Sequence, residues 1–122
     1  MTIKTTERSA GRVAVVSSPK PVLTDGQTAL DLMMTVKYEA GISLIALDKN
    51  CLAEDFFILS RGLAGEILQK FINYQFKLAI FGDFSIYTSK PLRDFIYESN
   101  KGKDVFFAST EIEAVDRLLA AP

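Results

Sequence analysis

The chain has 122 residues, of which 48% are hydrophobic and 24% are charged, and its formal net charge is −1. This length and composition predict one soluble globular domain over residues 1–122, without the basic excess that nucleic-acid binding requires. Because the sequence contains no histidine and only one cysteine, Cys51, it excludes Ser-His-Asp and Cys-His catalysis, the common zinc sites and an internal disulfide.

The first half of the chain predicts two strands, a helix and a third strand. The strands are expected over residues 2–8 and 12–17, with Ala10 and Gly11 forming a hairpin turn. Thr24 or Asp25 is the predicted N-cap of the helix, and Gly41 its left-handed C-cap. The apolar face of this helix is expected at helical spacing: Ala29, Leu30, Met33, Met34 and Tyr38. The apolar run over residues 42–47 predicts a buried strand that ends at Asp48.

The second half predicts three helices that alternate with two strands. Apolar residues at four-residue steps give residues 54–72 a helical face that should be buried: Leu59, Leu63, Ile67 and Phe71. A strand is predicted over residues 76–81, and a helix from Pro91 to Gly102. Residues 104–108 predict the last strand. Thr110 is the expected N-cap of a terminal helix whose apolar positions are Ile112, Val115, Leu118 and Leu119.

The order of elements is therefore β-β-α-β-α-β-α-β-α. Near-continuous apolar strands separated by helices are typical of parallel pairing. We expect the α/β class, with a mixed, mostly parallel sheet of about five strands, the first of them antiparallel, and about four helices. The sequence has no apolar run long enough to span a membrane and no recognisable signal peptide, so a cytoplasmic location without membrane association is expected.

Polar side chains follow the predicted strands at the edge where open parallel sheets bind ligands. They are Asp48, Asp83, Ser85, Thr88, Ser89 and Arg93. Hydroxyls at a helix start, with an arginine one turn in, could hold an anion such as a phosphate or a nucleotide. The alternative is structural: the hydroxyls cap the helix and Asp83 forms a turn.

Other residues give no catalytic or metal site. The sequence has no glycine-rich phosphate loop of either common type. Glu54 and Asp55 are expected to complement a helix dipole rather than to bind a metal, and Cys51 to be a buried, inert thiol. We therefore predict a protein without enzymatic activity and without a cofactor.

Two resemblances add to this interpretation. The segments over residues 62–74, 82–90 and 92–102 resemble an uncharacterised bacterial family, domain of unknown function 4180, and this resemblance implies no activity. The order of elements resembles the STAS domain of sulphate transporters and anti-sigma-factor antagonists. In that domain a strand ending in Leu-Asp is followed by Asp-Ser-Ser-Gly-Leu at the start of the second helix. Here Leu47 and Asp48 end the strand, and Ser60-Arg61-Gly62-Leu63 resembles the later part.

The STAS resemblance implies a regulatory surface at Ser60, Arg61 and Gly62. In the antagonists, a partner kinase phosphorylates the serine before the glycine; here Arg61 holds that position and Ser60 precedes it. The alternative is that Ser60 is an N-cap or a hydroxyl on the face of a helix. The predicted function is a regulatory module with a protein partner, and the alternative is a domain that binds a small ligand or anion. A receiver-like switch with Asp48 as phosphate acceptor is a third hypothesis. Nine phenylalanines leave both a monomer and a homodimer open.

Overall fold

The computed structural model describes residues 1–121. Its five strands are β1 (Thr2–Arg8), β2 (Gly11–Ser17), β3 (Leu44–Asp48), β4 (Lys77–Phe81) and β5 (Val105–Ala108). Its four α-helices are α1 (Gly26–Ala40), α2 (Leu63–Asn73), α3 (Lys90–Lys101) and α4 (Glu111–Ala120). None of the helices in this part of the chain has the length and apolar character that crossing a membrane would require.

The strands form one sheet in the order β1-β2-β3-β4-β5. β1 is antiparallel to β2, and β2 to β5 are parallel. This confirms the predicted α/β class and mixed sheet. Because each new strand is added on the same side, right-handed crossovers place α1, α2 and α3 on one face. The order also differs from the 2-1-3-4-5 order of flavodoxin-like folds, which removes the structural basis of the receiver hypothesis for Asp48.

Alternate residues along each strand point to opposite faces of the sheet and pack into two separate cores. Ile45 and Leu47 of β3 point into the larger core under α1, α2 and α3. Ala46, between them, points into the smaller core, which α4 closes with Val115 and Leu118. This alternation is the normal consequence of the two-residue period of a strand. It explains why the strands are apolar on both faces.

The predicted helix starts are confirmed in most details. Asp25, not Thr24, is the N-cap of α1, and its side chain accepts a hydrogen bond from the Thr28 N–H at 2.8 Å. Thr110 caps α4 by accepting from the Glu113 N–H at 3.1 Å. Gly41 has φ 67° and ends α1 in the predicted left-handed conformation. One start is shifted, because α3 begins at Lys90 and Pro91 takes its second position.

The predicted apolar faces of α1 and α4 are partly wrong. Met34 is 41% exposed and Tyr38 is 93% exposed, whereas Leu32 and Val36 are buried. On α4, Ile112 is 66% exposed. The buried face of α1 is rotated from the predicted one because the helix packs against both the sheet and α2. Hydrophobic spacing alone was compatible with two overlapping apolar faces.

Candidate functional site

Three single-turn 3₁₀ helices connect β3 to α2: Lys49–Cys51, Glu54–Phe57 and Leu59–Arg61. Their apolar side chains anchor the connection, because Cys51, Phe56 and Phe57 are all buried. Glu54 and Asp55 lie in the first turn of the second 3₁₀ helix and are exposed. The sequence predicted a helix within residues 54–72 with Leu59 on its buried face, whereas Leu59 lies in the third 3₁₀ helix and α2 begins at Leu63. The chain is instead folded tightly onto the carboxyl end of the sheet before α2 begins.

The connection ends in an exposed turn, which we call the Ser60 surface: Ile58, Ser60, Arg61 and Gly62. All four residues are exposed, and Ile58 retains 42% of its accessible surface. Gly62, with φ 81°, is the N-cap of α2, so the interpretation of Ser60 as that cap is wrong. Within residues 1–121 the Ser60 hydroxyl makes no hydrogen bond. Arg61 Nη1 lies 3.9 Å from the Asp55 carboxylate, and both side chains are largely in solvent.

The strand ends form two adjoining clefts that share Phe84, Ser85 and Ile96. One cleft, of about 350 Å³, is also lined by Thr88 and Arg93. The other, of about 470 Å³, is also lined by Asp83, Ser109 and Glu113. Four of the six residues predicted for this edge therefore lie around one loop: Asp83, Ser85, Thr88 and Arg93.

Asp48 and Ser89 do not line these clefts, because both cap local structure. Asp48 accepts a hydrogen bond from the Asn50 N–H at 2.9 Å, and Ser89 accepts one from the Leu92 N–H at 3.5 Å. Asp83 also has a turn-forming role. Its hydrogen bonds from the hydroxyl and the N–H of Ser85 lower the pKa of its carboxyl, which Lys49 lowers further. The structural alternative, in which these side chains cap helices or form a turn, thus accounts for three of the six predicted residues: Asp48, Asp83 and Ser89.

Lys49 organises this edge of the sheet, although the sequence did not indicate it. Its Nζ donates to the Asp83 carbonyl at 2.8 Å and lies 4.7 Å from the centre of the Tyr87 ring. Gly82 has φ 153°, and a Cβ there would come within 2.9 Å of the Lys49 side chain. Tyr87 in turn stacks on Phe57, with ring centres 4.7 Å apart. The loop after β4 is therefore fixed to the connection before α2.

Burial raises the pKa of two side chains, Cys51 and Tyr87. Burial raises the pKa of the Cys51 thiol to about 11, with a smaller contribution from Asp48, so it is not a thiolate at neutral pH. This confirms the predicted burial of Cys51. Burial, and then the charge of Glu54, raise the pKa of Tyr87.

Comparison with known proteins finds a match at the level of the family. Neither the curated proteins nor the solved structures include a match to this chain. A family model described as "Domain of unknown function (DUF4180)" matches residues 8–118, which include the Ser60 surface, both clefts and every element from β2 to β5. Since the matched residues are most of the chain, this protein belongs to the family of that domain.

Proposed function

We propose that this protein is a non-enzymatic regulatory module of the bacterial cytoplasm that binds a protein partner through the Ser60 surface. The observation that carries this proposal is the exposure of the Ser60 hydroxyl, which neither caps α2 nor makes another hydrogen bond within residues 1–121. Ile58 and Arg61 beside it supply an apolar contact and a cation. Arginine is enriched among the residues that dominate protein interfaces.

The resemblance to STAS domains supports the same surface. β3 ends at Asp48, and α2 begins at Leu63, directly after Ser60-Arg61-Gly62. The place of this turn, between the end of a central strand and the start of the second helix, corresponds to the regulatory segment of those domains. The connection differs in its three 3₁₀ helices and in having Arg61 before the glycine. We propose a STAS-like fold in which Ser60 takes the part of the regulatory serine.

A phosphate on Ser60 would have a clear physical effect. It would add close to two negative charges at neutral pH and lie near the free N–H groups at the start of α2. Arg61 could hold it by a charge-assisted hydrogen bond. The added charge would change an exposed surface of mixed character into an acidic one, and a partner selected for the first would then be released.

A photo-crosslinking experiment tests the proposed docking surface. The protein with benzoylphenylalanine in place of Ile58, irradiated in a bacterial lysate, should crosslink to one protein in stoichiometric amount. The protein with benzoylphenylalanine in place of Tyr38 on α1 should not. Arg61→Glu should reduce capture by at least about tenfold, because reversing a central charge commonly costs more than about 1.4 kcal/mol of binding free energy. Ser60→Asp should also reduce the amount of captured protein. Equal capture from both positions, or capture that neither variant changes, would contradict the proposal.

The cleft at Arg93 supports a second candidate function, which is the binding of a small anion. Within residues 1–121 the Arg93 guanidinium makes no ion pair and no hydrogen bond, and it shares its cleft with the hydroxyl-bearing Ser85 and Thr88. A cation beside the Thr88 hydroxyl at the start of α3 is suited to a phosphate or a sulphate, while the Ser85 hydroxyl donates to Asp83.

Thermal unfolding in phosphate, sulphate and nucleotides tests this second candidate. A ligand at a hundred times its dissociation constant should stabilise the protein by about 2.7 kcal/mol. Arg93→Gln should abolish the shift, while Lys101→Gln at the other end of α3 should leave it unchanged. An equal loss in both variants would mean only a general charge effect, and no shift with any anion would exclude the site.

A further inference from the structure

The two edges of the sheet are protected to different degrees. At the β5 edge the Phe107 N–H donates to Asn100 Oδ1 at 2.8 Å, and Arg117 donates to the Asn100 carbonyl at 2.7 Å. α3 and its neighbours thus cover that edge. At the other edge, all seven residues of β1 are in register with β2, but the outer side of β1 has no backbone hydrogen-bond partner within residues 1–121. An open strand edge of this length is a template for another strand.

The geometry of the hairpin defines which groups of β1 point outward. Arg8 lies opposite Gly11 across a two-residue turn, so its N–H and C=O groups point toward β2. Bonding alternates along an antiparallel pair, and the N–H and C=O groups of Ile3, Thr5 and Glu7 therefore point away from the sheet. These three residues offer about six hydrogen-bonding groups to a partner strand.

We propose that the partner is a second copy of this chain, whose β1 pairs antiparallel with β1 about a two-fold axis at Thr5. Thr5 then lies opposite its own symmetry mate, and Ile3 lies opposite Glu7. The two five-stranded sheets would join into one continuous sheet. A two-fold axis is the commonest symmetry of homo-oligomers, and it uses the same edge on both copies.

Charge selects this register over its neighbours. If one strand were shifted by two residues in one direction, Lys4 would face Lys4 of the second copy. A shift by two residues in the other direction would place Lys4 opposite Arg8 of the second copy. A shift by one residue would put the side chains on the wrong face. In the proposed register, Lys4 meets Thr6 and no like charges face each other. Opposed threonines are also a favourable cross-strand pair.

The cations of β1 do not block this pairing, although lysine on an edge strand often does so. Lys4 Nζ lies 3.0 Å from the Glu111 carboxylate, and Arg8 is paired with Asp116. Both side chains thus reach across the face of the sheet toward α4 and leave the outward N–H and C=O groups of β1 open to a partner strand. Because one strand pair is a small interface, we expect a dissociation constant in the micromolar range.

Sedimentation velocity on the full chain tests the proposal. From about 1 to about 500 µM the protein should change from monomer to dimer by mass action. Thr5→Pro removes the central outward N–H, a substitution that edge strands tolerate, and should raise the dissociation constant at least about tenfold. Thr5→Val should keep the dimer, and circular dichroism should show that all three proteins are folded. A monomer at every concentration, or a dimer unaffected by Thr5→Pro, would overturn the proposal.

Disulfide trapping tests the register itself. Cross-strand Cα atoms at a hydrogen-bonded pair are about 5.5 Å apart, within reach of a disulfide. Mild oxidation should therefore link Thr5→Cys into a covalent dimer, whereas Glu7→Cys, which lies opposite Ile3, should remain unlinked. Cys51 is buried and does not compete. If both variants formed the disulfide equally, or if Thr5→Cys formed none, the two-fold axis at Thr5 would be overturned.

Discussion

Replacing Phe56 with alanine should lower the free energy of unfolding by about 3–5 kcal/mol. Phe56 lies in the connection between β3 and α2, yet its side chain is fully buried in the larger core. It packs edge-to-face on Phe57, with ring centres 5.1 Å apart. Its removal would leave a cavity under a segment with little regular structure of its own. The same ring anchors the connection that leads to the Ser60 surface.

The matched control for Phe56 is two residues away. Ile58 belongs to the same connection but is 42% exposed, so Ile58→Ala should cost less than about 1 kcal/mol. Urea unfolding followed by circular dichroism measures both values, provided that the slope of the transition stays constant. If the two variants were equally stable, the connection would not be anchored by Phe56.

The sequence predicted the fold well because its signals are local. Apolar runs such as residues 76–81 identify buried strands, and Asp25, Gly41 and Thr110 mark helix ends by hydrogen bonds within a few residues. The orientation of α1 was harder to predict, because the burial of Leu32 and the exposure of Tyr38 depend on which neighbours the helix meets. That information lies in tertiary contacts and not in the period of the helix.

The candidate sites were predicted in part. Polar residues that follow parallel strands are expected at one edge of the sheet, and Ser85, Thr88 and Arg93 line one cleft there. This expectation could not show that Asp48 turns back on its own chain to cap Asn50, since a strand-end aspartate is compatible with both roles. Nor could it identify Lys49, whose partner lies 34 positions further along the chain. Contacts of that range depend on the folded sheet.

The two glycines around the start of α2 should respond to alanine in opposite directions. Gly62 has φ 81°, a conformation that costs an L-residue roughly 1–2 kcal/mol, so Gly62→Ala should destabilise the protein by about that amount. Gly65 lies within α2, where alanine is favoured by about 0.5–1 kcal/mol. A Cβ on either glycine would meet no atom within 4 Å, so neither effect is complicated by a clash.

The difference between these variants isolates backbone conformation from packing. Gly65→Ala should raise the midpoint of thermal unfolding and Gly62→Ala should lower it, although both add the same methyl group to an exposed position. Destabilisation by both substitutions would mean that α2 is not helical at Gly65, and no effect at Gly62 would contradict its left-handed conformation. If the predicted signs are observed, Gly62 is required by the turn that presents Ser60. Gly65, by contrast, is required by nothing in the fold of residues 1–121, where it faces an open groove between α2 and α3.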